Sequence, residues 1–231
     1  KELLELDLPI FFTDGWYDMT MGPIDFFSRL EKYRHAMGKG QMPDHYILVG
    51  PWNHYQTYSL HNTGDETGDR LLPKNAAIDL VSQRLKFFDR YLKEDKARLV
   101  QEDRVRIYIS GSNDSNANVW KSFPTFPVPG TMEKYFYLHS QGNAHSIPSD
   151  GVLSHEVPVM EESADNYIYD PSLPTPSVTE FSGDRREVEI RSDVLTYTTL
   201  PLDEPMTILG DIVLVLYAAS DSLDTDWFAI L

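Results

Sequence analysis

The sequence contains no cysteine and comparatively few positive charges, and both features exclude kinds of chemistry. Without cysteine there is no disulfide, no thiolate metal site and no cysteine nucleophile. The 20 Lys and Arg residues face 36 Asp and Glu residues, which gives a formal net charge of −16. A chain this acidic is repelled by nucleic acids and by anionic lipid surfaces, so we expect neither a nucleic acid nor a membrane as partner.

Long hydrophobic runs are also absent. No stretch reaches the roughly eighteen apolar residues that a membrane-spanning helix requires. The most apolar stretch, residues 208–219, contains Gly210 and Asp211. Hydrophobic residues still make up 41% of the chain, enough for a folded core. Residues 1–7 have no signal-peptide pattern, and both a cytoplasmic and an exported location remain open.

Residues 8–54 read as one βαβ unit. Residues 8–12 form an apolar run that predicts a buried strand, ended by a turn from residue 13 onward. Residues 23–36 have helical spacing, and residues 45–49 form a second apolar strand closed by residues 50–54. Because functional groups collect beyond the carboxyl ends of parallel strands, we expect Asp18 and His54 at the same edge of the sheet.

An Asp after one strand and a His after a later strand is the order in which an α/β-hydrolase supplies the acid and base of its triad. The imidazole removes the proton of a serine, and the carboxylate holds the imidazole in the required tautomer. Asp18 and His54 are therefore candidate catalytic residues, although solvated loop residues have the same spacing. No Gly-x-Ser-x-Gly occurs in the 231 residues, so we expect the serine to precede residue 1 and this chain alone to be inactive.

The sequence motifs around Asp18 and His54 are more specific to one protein family than the spacing of the two residues. Gly15-Trp16-Tyr17-Asp18 and Gly50-Pro51-Trp52-Asn53-His54 closely resemble the blocks that carry the triad Asp and His in the CocE/NonD serine hydrolases, which include cocaine esterase, α-amino acid ester hydrolases and Xaa-Pro dipeptidyl-peptidases. Later stretches resemble further blocks of that family in the same order, at residues 87–93, 169–177, 193–198 and 224–227.

This resemblance implies a serine hydrolase that cleaves acyl ester or amide bonds by a Ser-His-Asp acyl-enzyme mechanism. The substrate would be a small ester or amide, or a short peptide of the Xaa-Pro type, and no cofactor is expected. Trp16, Tyr17 and Trp52 are expected near the substrate, with packing of the loop ends as the alternative. The resemblance also implies that the chain is a piece of a larger enzyme.

The predicted fold class is α/β followed by all-β. Residues 76–93 predict a helix with Asn75 as its N-cap and with Ile78, Val81, Leu85, Phe88 and Leu92 facing the core. The charged connector at residues 94–96 marks the expected boundary. Residues 1–96 would be the C-terminal part of an α/β-hydrolase domain, and residues 97–231 a jelly-roll β-sandwich, incomplete at its C-terminus. Strands of this sandwich are predicted at residues 104–109, 135–138, 166–169, 194–197, 206–208 and 212–217.

Two other interpretations of the β-rich part remain open. One is a carbohydrate-binding sandwich with Trp120 and Trp227 as stacking surface, and the other is a structural module that forms homo-oligomers. A cation site at Asp65, Glu66 and Asp69 is chemically conceivable, because hard cations bind carboxylates. The spacing matches no metal-binding loop, so we expect a solvated acidic turn there and no metal.

Overall fold

The computed structural model describes residues 8–18, 22–38, 45–58, 66–67, 70–93, 104–111, 116–177 and 183–231. Its strands are β1 (Ile10–Tyr17), β2 (His45–Asn53), β3 (Glu66–Thr67), β4 (Arg70–Leu71), β5 (Val105–Ile109), β6 (Val119–Phe123), β7 (Tyr137–His139) and β8 (Val152–Ser154). Its helices are α1 (Gly22–Ala36), α2 (His54–Tyr58), α3 (Leu80–Leu92) and α4 (Arg186–Glu189), with a 3₁₀ turn at Lys74–Ala76.

The main sheet has four strands in the order β1-β2-β5-β6. Strands β1, β2 and β5 are parallel, and β6 runs antiparallel to β5. The predicted βαβ unit is confirmed, but both of its strands are longer than the sequence indicated. The β1–β2 pairing continues in parallel through Gly15 and Gly50, and after a one-residue shift in register Tyr17 lies opposite Asn53.

The sheet is covered on both faces, as parallel sheets usually are. On one face Ile24 and Phe27 of α1 pack against Ile47 and Val49 of β2. On the other face Leu80 of α3 packs with Leu48 and Trp52. Helix α1 ends as predicted, and Gly38, two residues after its last residue, is in the left-handed region at φ 61°.

Helix α3 forms where a helix was predicted, but its start and its buried face differ. Asp79 is the N-cap, accepting a hydrogen bond from the Ser82 backbone N–H, and Asn75 instead hydrogen bonds to Tyr108 and Asn118. The expected core side chains Leu85, Phe88 and Leu92 are 56%, 51% and 76% exposed, whereas Leu80 and Phe87 are buried. The helix has two apolar stripes, and periodicity alone does not tell which of them faces the sheet.

The main sheet contains strands from both sides of the expected domain boundary between residues 96 and 97. Strand β5 begins at Val105 and lies parallel to β2, so the sheet continues past the boundary. The connector residues 94–96 and the acidic residues Asp65 and Asp69 lie outside the described residues. Among the helices that the structure describes, none is long and apolar enough to cross a membrane.

The remainder of the chain is less regular than the predicted sandwich. Strands β7 and β8 form an antiparallel pair, and Thr198 adds a bridge to Val152. The loops beside them converge on Asp165, which accepts hydrogen bonds from Ser140 Oγ and Tyr197 OH, both at 2.6 Å. Burial, together with this carboxylate, raises the pKa of Tyr197.

Several strand predictions in this half are wrong for the described structure. Residues 166–169, 194–197, 206–208 and 212–217 form no strand, and β6 and β8 form where no strand was predicted. Val213 and Tyr217 are 79% and 97% exposed. An apolar alternating run favours a strand, but a strand exists only with a partner. No described residue forms a strand pair with residues 212–217, and the described part of the chain contains no jelly roll.

Candidate functional site

The candidate site lies at the carboxyl ends of β1 and β2, which are neighbouring strands. Asp18 follows β1 by one residue, and His54 follows β2 directly as the first residue of α2. The Nδ1 atom of His54 lies 2.9 Å from Oδ1 of Asp18. The sequence prediction that these two residues lie at the same edge of the sheet is therefore confirmed, and their side chains are within hydrogen-bond distance.

The turn that presents Asp18 is closely packed. The Asp18 backbone N–H donates to the carbonyl oxygen of Gly15 at 3.0 Å, which folds the chain back at the end of β1. A Cβ atom on Gly15 would overlap the carbonyl oxygen of Trp52, so only glycine allows the two strand ends to approach this closely. The side chain of Asp18 is thereby held against the start of α2.

His54 is held by a reciprocal capping arrangement around the first turn of α2. The Gln56 backbone N–H donates to Asn53 Oδ1, and the Asn53 backbone N–H donates to Gln56 Oε1, both at 3.0 Å. The Thr57 hydroxyl donates to the Asn53 carbonyl oxygen, and Arg84 of α3 donates to the Thr57 carbonyl oxygen. This cap was not predicted from the sequence, although a cap residue with Gln three positions later is a recognisable signal of a helix start.

Replacing Asn53 with alanine removes this cap, and we expect local opening of α2 to become easier. An N-cap contributes about 1 kcal/mol, so backbone amides of α2 should exchange with solvent roughly fivefold faster. Hydrogen exchange of the full-length protein measures this change. Asn53→Ser is the matched control, because serine also caps and should restore slow exchange. Unchanged exchange in the alanine variant would show that the cap does not hold His54.

The two side chains of the pair differ in exposure. The Asp18 side chain is 2% exposed, whereas the His54 side chain is 37% exposed. A buried carboxylate behind a partly open imidazole is the arrangement in which a base is oriented from within and reached by a reactant from outside. The ring of Tyr55 lies edge-on to His54 at 6.0 Å and is itself exposed.

The three aromatic residues predicted near the substrate occupy different surroundings. Trp52 is fully buried and packs against Trp120, with ring centroids 5.7 Å apart. A fully buried ring does not contact a substrate, so the packing alternative fits Trp52. Trp16 is partly buried and donates from Nε1 to the carbonyl oxygen of Tyr108 at 2.7 Å. Tyr17 is partly buried at the end of β1, one residue before Asp18.

The aromatic residues that suggested carbohydrate stacking also have protein contacts. The ring of Trp120 lies against Trp52 and Tyr108, and its Nε1 donates to the carbonyl oxygen of Asn75. Trp227 is 45% exposed and contacts the edge of Tyr167. These contacts are those of packing residues.

A second carboxyl, that of Asp14, lies beside the site. The sequence had placed this residue in the turn after the first strand. Asp14 is on β1 and 1% exposed, and burial raises its pKa from the ordinary value of 3.8 to about 6. Among the described residues, no group of three or more His, Asp or Glu side chains is placed to hold a metal ion.

Comparison with known proteins places this geometry in a family. Residues 98–231 match the model of the X-Pro dipeptidyl-peptidase C-terminal non-catalytic domain. Asp18 and His54 precede that domain. Cocaine esterase from Rhodococcus sp. (strain MB1 Bresler) is 29% identical over 236 residues, covering 97% of this chain and 38% of the esterase. Similarity to the esterase therefore includes the stretch that carries both residues.

A solved structure is similar in fold. The crystal structure of an aminopeptidase from the marine sediment archaeon Thaumarchaeota archaeon matches with a TM-score of 0.60 and 22% identity, covering 88% of this chain and 32% of that protein. The chain thus spans 38% of the length of the esterase and 32% of the length of the aminopeptidase. The model of the non-catalytic domain covers more than half of the sequence, and the similarity to the esterase extends over nearly all of it. The chain therefore belongs to the CocE/NonD and X-Pro dipeptidyl-peptidase family of hydrolases, as its motifs indicated.

Proposed function

We propose that this chain supplies the acid and the base of a serine hydrolase that cleaves acyl ester or amide bonds. The observation that carries the proposal is the 2.9 Å contact between His54 Nδ1 and Asp18 Oδ1 at the ends of two neighbouring parallel strands. In this arrangement Nδ1–H donates to Asp18, which leaves Nε2 as the basic nitrogen of the imidazole. A basic Nε2 on a partly exposed ring is what the activation of a serine hydroxyl requires.

The steps of the proposed reaction follow from these positions. His54 Nε2 takes the proton of the serine hydroxyl as its oxygen attacks the acyl carbon, and Asp18 stabilises the resulting imidazolium. The imidazolium then returns the proton to the leaving alcohol or amine, which leaves an acyl-enzyme. Water repeats the sequence with His54 as base and frees the acid. The serine and the oxyanion donors would come from residues outside this sequence.

The domain arrangement is part of the same proposal. Residues 1–96 would complete an α/β-hydrolase domain, and residues 97–231 would belong to a jelly-roll domain that supports the substrate pocket. The strand-forming residues 212–217 would then find their partners in the full-length protein. The domain family of residues 98–231 supports this division, with strands β5 and β6 extending the sheet of the hydrolase domain.

The experiment that tests the proposed function is acylation of the full-length protein. With p-nitrophenyl acetate, an acyl-enzyme mechanism predicts a rapid release of about one equivalent of p-nitrophenolate, followed by slower turnover. Mass spectrometry should detect the acetylated protein in the same experiment. Comparison of acyl esters with Xaa-Pro p-nitroanilides then assigns the substrate class. Release no faster than in buffer with every substrate would contradict the proposal.

A further inference from the structure

The buried carboxyl of Asp14 lies next to the candidate site but makes no contact that the proposed reaction uses. It is 1% exposed on β1, in a sheet face that is otherwise apolar around Phe12, Trp16 and Ile24. Its Oδ2 atom has no hydrogen-bond partner among the described residues. A buried carboxyl with an unsatisfied oxygen is costly to the fold, and such a group beside a site is a candidate for a functional role.

Hydrogen bonds connect Asp14 to the Asp18–His54 pair in three steps. Asp14 Oδ1 accepts from the Gly15 backbone N–H at 2.8 Å. The carbonyl oxygen of Gly15 accepts from the Asp18 backbone N–H at 3.0 Å, and Asp18 Oδ1 contacts His54 Nδ1 at 2.9 Å. Asp14 therefore binds the N–H of Gly15, and the carbonyl oxygen of the same residue anchors the turn that carries Asp18. The N–H of Ile24, in the first turn of α1, also favours the charged form of Asp14.

We propose that Asp14 is a positioning residue for the Asp18–His54 pair, which holds the Asp18 turn by its charged hydrogen bond and adds a second negative charge behind the imidazole. This inference rests on the proposed function of that pair. The charged group that acts on Asp14 is Asp18, so the two carboxylates share one electrostatic environment. A second negative charge in a buried region stabilises the imidazolium that forms during the reaction.

The buried charge of Asp14 lowers the stability of the fold, and this effect can be measured separately from activity. Burial is the main reason that the pKa of Asp14 is raised to about 6, and the charge of Asp18 adds to it. A carboxyl with a raised pKa binds its proton more tightly in the folded state than in the unfolded state. Its ionisation therefore lowers stability as the pH rises from about 4 to above 6, and the loss is complete at pH 8. Activity and stability should respond to its removal with opposite signs.

The test uses Asp14→Asn in the full-length protein, with kcat and KM for an acyl ester measured from pH 5 to 9. We expect kcat at pH 8 to fall about tenfold with little change in KM, because a positioning effect acts on the transition state. The acid limb of the kcat/KM profile should move by about half a unit toward lower pH, because the imidazolium loses one stabilising charge. The melting temperature should rise at pH 8, and this rise should disappear near pH 4.

Asp25→Asn is the matched control. Asp25 is an exposed carboxylate in the first turn of α1 that pairs with Arg29, so its removal changes the same net charge without touching the turn. Asp14→Ser, with a smaller side chain that still accepts a hydrogen bond, is the second variant and should behave as Asp14→Asn does. If Asp14→Asn matches Asp25→Asn in rate and pH profile, or melts lower at pH 8, the inference is wrong. The proposed function would stand in that case, because it depends on His54 and Asp18.

Discussion

Replacing His54 with alanine in the full-length protein should lower kcat for acyl esters by about 10⁴-fold or more, because a triad without its base keeps only the oxyanion and binding contributions. In the proposed mechanism the imidazole accepts the serine proton, and its Nδ1 lies 2.9 Å from the Asp18 carboxylate that would orient it. Folding should be unaffected, since the His54 side chain is 37% exposed and its removal opens no core cavity. Steady-state kinetics and thermal unfolding of the same preparation measure both effects.

His35→Ala is the control for this substitution. His35 is exposed near the end of α1, and its removal should leave kcat and KM within about twofold of the unmodified protein, as for most surface substitutions. A His54→Ala variant with unchanged turnover would contradict the assignment of the base. An inactive variant that has lost its cooperative melting transition would point to a structural role for the imidazole instead.

Asp18→Asn should be nearly as damaging, with kcat lowered about 10³- to 10⁴-fold. The amide keeps the size of the carboxylate and its place at the end of β1, but it carries no charge to stabilise an imidazolium. Because the Asp18 side chain is 2% exposed, solvent cannot replace that charge. The loss should appear in kcat and leave KM nearly constant, which steady-state kinetics with an acyl ester measures.

The Asp25→Asn variant again serves as control, because it removes one carboxylate from an exposed position at the start of α1. It should retain the rate of the unmodified protein. If Asp18→Asn behaved like this control, the contact between Asp18 and His54 would be a structural hydrogen bond with no part in the reaction.

The edge of the sheet that carries the site could be predicted from the sequence because the relevant signals are local. Two apolar runs, a helix between them and polar residues after each run define a βαβ unit, and its parallel pairing brings Asp18 and His54 together. The lengths of the strands could not be read in this way. Gly15 and Gly50 were read as turns, but both lie within paired strands. A Cβ atom on Gly15 would overlap the carbonyl oxygen of Trp52, and one on Gly50 would overlap the Trp52 indole ring.

Features that depend on distant partners were predicted poorly. The buried face of α3 is set by contact with the sheet, which reverses the choice that the apolar stripe of Leu85, Phe88 and Leu92 suggested. The burial of Asp14 was not predicted because an Asp-Gly pair ordinarily marks a turn, and only the packed structure places that carboxyl inside the core. Residues 212–217 have strand composition but no strand partner in the described part of the chain, so their pattern alone could not give the sheet.

The central claim is that Asp18 and His54 act as one unit, and a double-mutant cycle of kcat in the full-length protein tests it most directly. Residues of one catalytic unit are strongly non-additive. We predict that Asp18→Asn combined with His54→Ala lowers kcat no more than about tenfold beyond His54→Ala alone. Losses that multiply, with the double variant slower by the full product of the two single effects, would mean that the two side chains act independently and would contradict the account.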